Sequence, residues 1–338
     1  MRNILIFIAF IFGLVFIFLN FSEVEDILDT ISRGDWRFLI LAVIIQGVWM
    51  INVALSYHFV YQALELDERF NRILLLVGSA FFLNVVAPTG GMGGIAIFVS
   101  EARRKGYSSA RVAIAGVLVV LLDYLAFIAV LILGLIVLFR RDNLDFVELA
   151  ASGVLFFVAG VLTMLLYLGM RSANEMGRAL AWLARLVNKV LYPFLHRQYL
   201  SEARAYSFAG DASQGLQRFR KQPKKIIIPI LLSLSNKALL ISILFIMFLA
   251  FNVPVSAGTI IGGFSIGYLF YIVSPTPAGI GFVEGALTLG LNSLTVPLGR
   301  ATIIALAYRG ITFWIPLLFG MITFRMFSQH DGLPAQVE

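Results

Sequence analysis

From Val112 to Phe139 the chain runs for 28 residues with one charged side chain, Asp123. At about 1.5 Å per helical residue this run is long enough to cross the ~30 Å hydrocarbon core of a bilayer. Lipid offers no water to backbone N–H and C=O groups, so a spanning segment must be a helix or a strand of a closed barrel. The run is continuously apolar rather than alternating, which argues against a barrel strand. Comparable runs occupy Asn3–Phe21, Trp36–Leu64, Phe146–Met170, Ile226–Phe251 and Ala301–Phe327. No small-x-small cleavage site follows the first, so it is expected to be an uncleaved anchor rather than a signal peptide. The mean hydropathy of +0.91 fits the same class. The predicted architecture is an all-α polytopic membrane protein with about six full transmembrane helices.

A second feature sits inside this pattern. Pro88-Thr89-Gly90-Gly91-Met92-Gly93-Gly94 is echoed 187 positions later (275 minus 88) by Pro275-Thr276-Pro277-Ala278-Gly279-Ile280-Gly281. Each copy separates two apolar pieces: the short Ile73–Ala87 and Ile95–Ser100, then the Gly-rich Val255–Ser274 and the short Phe282–Leu294. Each is followed, some thirty residues on, by a charge in an apolar run, Asp123 after the first and Arg309 after the second. Proline and glycine breaks within hydrophobic sequence mark discontinuous helices around a midplane site. The expectation is two re-entrant broken-helix hairpins, with 73–139 and 255–327 as repeats. The small residues also admit a plainer reading, close helix packing. The functional alternative is a cradle of backbone N–H groups for an anion, with Thr89, Gly90, Gly91, Gly93, Gly94, Gly279 and Gly281 lining it beside Pro88, Pro275 and Pro277.

Charge placement sets the expected orientation. With the N-terminus inside and both breaks read as hairpins, inside segments hold 19 Lys/Arg against 9 Asp/Glu, and outside segments hold 5 against 8. This obeys the positive-inside bias, puts both termini in the cytoplasm, and makes the two repeats inverted. It also accounts for the net charge of +7 without nucleic acid. Residues 171–225 carry 11 of the basic groups and 3 acidic ones. There Leu180, Leu183, Val187, Val190, Leu191 and Phe194 share a helical face, while Arg178, Arg185 and Lys189 fall largely on the other. The segment is expected to be a cytoplasmic basic amphipathic helix lying on an anionic leaflet.

Asp123, Lys237, Glu284 and Arg309 lie deep in apolar sequence, and their charges sum to zero. Each costs roughly 2.5–3.5 kcal/mol to insert unless it finds a partner or a wet cavity. The 187-residue offset places Asp123 beside Arg309, so these two are expected to pair, with Lys237 and Glu284 as the second pair. Two readings stay open for such pairs: glue between helices, or a polar site whose cations receive a phosphate, for which a planar guanidinium is well suited. Glu284 also stands in the first turn after Gly281, where a helix dipole favours a carboxylate. Gln46, Asn52 and Asn84 are expected to bond between helices. There are no cysteines, and the three histidines form no metal-binding pair, so no cofactor or metal is expected. Neither a nucleophile–base constellation nor a nucleotide loop is present, which argues against a lipid-phosphate transferase.

Three segments carry a family resemblance. Val86-Ala87-Pro88-Thr89-Gly90-Gly91-Met92-Gly93-Gly94, Pro277-Ala278-Gly279-Ile280-Gly281-Phe282-Val283-Glu284-Gly285-Ala286 and Tyr308-Arg309-Gly310-Ile311-Thr312-Phe313-Trp314-Ile315-Pro316 resemble the membrane domain of the lysylphosphatidylglycerol synthetase/flippase family. Ala278 departs from the family's Gly pair. The resemblance extends over nearly the whole chain. It implies a bacterial or archaeal inner-membrane protein that moves lipids between leaflets, with Arg309, Tyr308, Asp123, Glu284 and Lys237 as substrate-binding candidates. In the best-known members the cargo is an aminoacylated phosphatidylglycerol; polyprenyl-phosphate sugars are the alternative. No soluble synthase segment is present in the 338 residues, so a stand-alone form is expected. Expected partners are membrane lipids, with a lipid-modifying enzyme or a second copy of the chain as further candidates.

Overall fold

The computed structural model describes residues 27, 29–86, 92–195, 200–221, 223–274 and 276–330. The expected first span, the turn Pro88–Gly91 and Pro275 lie outside the described residues. Everything described is helix and connection, in an all-α polytopic membrane protein. In chain order the helices are α1 (Trp36–Ala63), α2 (Phe70–Val86), α3 (Met92–Arg104), α4 (Ser109–Arg140), α5 (Phe146–Arg171), α6 (Ala173–Leu195), α7 (Glu202–Lys221), α8 (Ile227–Ala250), α9 (Ala257–Val273), α10 (Phe282–Ser293), α11 (Leu298–Arg309) and α12 (Ile315–His330). Among the described residues, five stretches are long and apolar enough to cross a membrane: α1, α4, α5, α8 with the turn before it, and the rod formed by α11 and α12. These are the expected spans, within a few residues at each end.

Local chemistry fixes where the helices start. The Asp35 side chain accepts from Arg37 N ahead of α1, Ser108 does the same for Arg111 N ahead of α4, and Ser256 for Thr259 N ahead of α9. Each satisfies a backbone donor that the helix cannot satisfy itself. Ile40, Ile44, Ile51, Leu133, Ile136, Phe157 and Leu231 point outward, as lipid permits.

The last span is not a uniform helix. Between α11 and α12 the residues Gly310–Trp314 form a π-helical turn. Pro316 has no N–H to give the carbonyl four residues back, and the ladder widens in the turn before it. The Thr312 hydroxyl donates to the Tyr308 carbonyl at 2.8 Å, restoring one bond within the widened turn.

The order of elements from α1 to α4 recurs from α8 to α12. The helices α2 and α9 are both 17 residues long and begin 187 positions apart (257 minus 70). Their packing recurs as well. Along α2 and α12, Arg72 lies over Phe327, Gly78 faces Phe319 and Thr323, and Phe82 meets Gly320. Along α9 and α4, Arg141 reaches Ser256, Gly262 faces Val137, and Ser265 bonds to the Val130 carbonyl beside Gly134. In both pairs residue numbers rise on one helix as they fall on the other. The same holds for α1 and α8: Asp35 N donates to the Ala250 carbonyl, and Asn52 bonds to the Leu232 carbonyl and Asn236 Oδ1. Asn52 therefore bridges the two halves, as expected of it.

The crossing at Gly320 meets backbone and yields a prediction. A Cβ on Gly320 would lie 2.6 Å from the Gly78 carbonyl oxygen and 3.0 Å from Phe82 N, both backbone atoms that cannot swing aside. Gly320→Ala is expected to destabilise the protein by about 1–3 kcal/mol, as overpacking does. Gly47→Ala, with nothing within 4 Å, should leave stability within about 0.5 kcal/mol. Thermal unfolding of both variants in detergent checks the contrast.

Candidate functional site

The second break is built around backbone that only a tight turn demands. After α9, residues Pro277–Gly279 form a short 3-10 turn, in which Ala278 has φ 52° and Gly279 has φ 77°. Gly281 follows at φ 72° and opens α10. The left-handed conformation at Ala278 costs about 1–2 kcal/mol relative to a right-handed one. That non-glycine residue is held by a bond: its carbonyl accepts from Arg309 Nη2 at 3.0 Å. Thr276 Oγ1 donates to the Ile280 carbonyl at 3.0 Å and closes the turn from inside.

Arg309 comes from the end of α11, directly before the π-helical turn. Its Nε donates to Glu284 Oε1 at 2.6 Å, and its guanidinium lies 4.8 Å from the Phe313 ring centroid. Arg309 and Glu284 are both buried. Glu284 sits in the first turn of α10, where the helix dipole adds to its pairing. Its second oxygen, Oε2, and Trp314 Nε1 are buried without hydrogen-bond partners. The site thus holds unspent donor and acceptor capacity, a feature that calls for an explanation in a buried place.

A second ion pair crosses α4, α8 and α9. Lys237 Nζ lies 2.6 Å from Asp123 Oδ1 and 2.5 Å from Tyr268 Oη, and Tyr268 Oη donates to Asp123 Oδ2 at 2.9 Å. Exposure is unequal: the Lys237 side chain is 1% accessible and that of Asp123 27%. The cluster therefore opens on its acidic side. Tyr271, one turn on from Tyr268 with ring centroids 5.6 Å apart, is exposed. It also lies against Gly279 of the second break. Tyr268 and Tyr271 thus lead from the Lys237–Asp123 pair to the second break.

The pairing differs from that expected from the repeat. Asp123 meets Lys237, not Arg309, and Glu284 meets Arg309, not Lys237. An offset along the chain does not say which neighbour a side chain meets. Asp123 looks from α4 toward α8 and α9, while Arg309 looks from α11 toward α10. Tyr308 is buried in the core with Leu240, Ile304 and Ile311.

At the first break, Pro88, Thr89, Gly90 and Gly91 lie outside the described residues, as does Pro275 at the second. Gly93 and Gly94 are in the first turn of α3, and Gly94 N donates to Asn84 Oδ1 at 2.7 Å. Asn84 thereby ties α2 to α3 across the break. Val85 and Val86 at the end of α2 pack in one cluster with Phe313, Leu317, Ala278, Ile280 and Trp314. The approach to the first break and Ala278 and Ile280 of the second thus lie together. Gln46 is buried with neither amide atom bonded, so the interhelical bond expected of it is not made.

Reading the sequence missed Tyr268 and Tyr271. Two hydroxyls spaced i, i+3 in the otherwise apolar run Ile266–Val273 are the signal that could have found them.

The unequal exposure yields a test. Asp123→Asn would strand Lys237 as an uncompensated buried cation and is expected to cost about 3–5 kcal/mol. Adding Lys237→Met should recover much of that loss. Thermal unfolding of the two singles and the double reads the coupling, and additive losses would contradict the pair's role.

Comparison with known proteins fits this geometry. The family model for the lysylphosphatidylglycerol synthase TM region matches residues 4–320. A UPF0104 membrane protein of Methanocaldococcus jannaschii is 22% identical over 326 residues, covering 95% of this chain and 93% of that one. A UPF0104 membrane protein of Methanothermobacter thermautotrophicus is 24% identical over 310 residues, covering 90% and 89%. With both breaks and both charge pairs inside the matched region, the chain belongs to the lysylphosphatidylglycerol synthase transmembrane-region family.

Proposed function

We propose that this protein is a lipid transporter that moves a phosphate-bearing lipid between the leaflets of an inner membrane. The observation that carries the reading is the presence of two ion pairs within the spans, Arg309–Glu284 at the second break and Lys237–Asp123 with Tyr268, the latter accessible at Asp123. The two halves act as inverted repeats that alternate access to this site. Antiparallel packing of the equivalent helices α1 and α8, and the recurrence of α2 on α12 as α9 on α4, support that arrangement. The short helix pairs serve as re-entrant hairpins. By the positive-inside bias, α6 and α7 face the cytoplasm together with both termini.

In this reading the charges are never bare. Arg309 and Lys237 are held by Glu284 and Asp123 while the site is empty, which offsets the cost of burying them. An entering headgroup exchanges partners: its phosphate takes the cation, and a cationic part, where the lipid has one, takes the released carboxylate. Arg309 offers a planar fork for phosphate oxygens, and Lys237 a point charge. A headgroup bearing both signs, such as an aminoacylated phosphatidylglycerol, satisfies all four groups. A polyprenyl-phosphate sugar would use the cations alone.

Flux in reconstituted vesicles tests the proposal. A fluorescent phosphatidylglycerol is followed by quenching from the outer leaflet, with wild type, Arg309→Lys and Arg309→Ala compared. A charge-assisted bond to phosphate is worth about 1.5–3 kcal/mol, so Arg309→Ala should slow flux by roughly tenfold to a hundredfold. Arg309→Lys should fall between the two. Wild-type flux in a folded Arg309→Ala protein would overturn the phosphate contact.

A further inference from the structure

The hairpin of α6 and α7 takes no part in that site, and its surface carries a separate inference. One residue, Ser172, separates the end of α5 at Arg171 from the start of α6 at Ala173. The Ser172 hydroxyl accepts from Asn174 N, so α6 begins at once where a membrane span stops. The partner helix α7 is pinned at the same level. Ser213 Oγ donates to the Gly169 carbonyl near the end of α5, and Gly215 lies against Arg111 at the start of α4 and Leu64 just past α1. The hairpin therefore sits at the depth where three spans end.

The faces of α6 divide differently from the expectation. Met176, Gly177, Ala181 and Ala184 are buried, with Gly177 against Tyr206 of α7. Of the predicted apolar face, Leu180 packs partly buried against the core. The side chains of Val190, Leu191 and Phe194 lie outside the described residues. What remains uncovered is Trp182, 58% exposed, Leu186, 46% exposed, and Val187. Arg178, Arg185 and Lys189, also exposed, border this strip on one side. An indole and a leucine at the level of the span ends, edged by cations, match the boundary between acyl chains and anionic headgroups.

We infer that this strip of α6 is a membrane-surface contact: Trp182, Leu186 and Val187 enter the acyl boundary, while Arg178, Arg185 and Lys189 hold anionic lipid headgroups. The contact is independent of transport through the Arg309 site. It fixes the hairpin against the leaflet and makes the hairpin's position depend on lipid charge.

The chain has no cysteine, so single-site labelling needs no background substitutions. Trp182→Cys, Leu186→Cys and Lys189→Cys, each carrying a nitroxide, are reconstituted in full-length protein into phosphatidylcholine vesicles with and without phosphatidylglycerol. All three positions are exposed and should tolerate the label. Oxygen collides preferentially with labels in lipid, and a water-soluble nickel chelate with labels in water. The expected result is an oxygen-to-nickel ratio several-fold higher at 182 and 186 than at 189, rising further with phosphatidylglycerol. Arg178→Gln, Arg185→Gln and Lys189→Gln introduced together with Leu186→Cys should abolish that rise. Equal nickel access at all three positions would overturn the contact, as would a ratio indifferent to lipid charge. Shielding that grows with the protein-to-lipid ratio would also overturn it and assign the strip to a second copy of the chain.

Discussion

An ionised side chain in hydrocarbon has to be met by an opposite charge, and the arrangement of this protein follows from how its four are met. Lys237 is almost fully enclosed, so its position is tolerable only because Asp123 and Tyr268 converge on it from two other helices. That convergence fixes α4, α8 and α9 relative to one another. Arg309 does the same for α10, α11 and the second break, with Glu284 on one side and the Ala278 carbonyl on the other. Removing one partner removes the reason those helices meet.

Helices can approach closely enough for such bonds only where side chains are small. At the Gly78–Gly320 crossing, and at Ser265 against Gly134, an added Cβ would meet the neighbouring helix at 2.6 Å or less. The hydrophobic effect gives little drive between helices surrounded by lipid. Close van der Waals contact at small residues and bonds such as Asn52 to Asn236 hold them instead. Glycine thus serves two ends here. At 78 and 320 it allows proximity, and at 279 and 281 it allows the left-handed turn that aims Glu284 and the Ala278 carbonyl at Arg309.

Much of this was legible in the sequence, because lipid makes length and hydropathy nearly sufficient. The five long apolar stretches among the described residues were readable from run length. The charged residues were found because a charge in an apolar run stands out. Which charge meets which was not readable. Position along a helix sets depth, whereas pairing depends on rotation about the helix axis, and that is set by packing at positions such as Ser265 and Gly134. Tyr268 and Tyr271 escaped notice because tyrosine passes for an interfacial or lipid-facing residue until its hydroxyl is placed. The π-helical turn after Arg309 was hidden for a related reason: Pro316 marks a disturbance in the helix but not the form it takes.

The central claim is that Arg309 and its neighbours receive a lipid phosphate. Native mass spectrometry of gently purified protein, wild type beside Arg309→Ala, tests it most directly. The account predicts that wild type retains one class of anionic or aminoacylated lipid and that the folded mutant loses it. The same mixture of lipids on both proteins would contradict the claim and leave the Arg309–Glu284 pair as a fastening between helices.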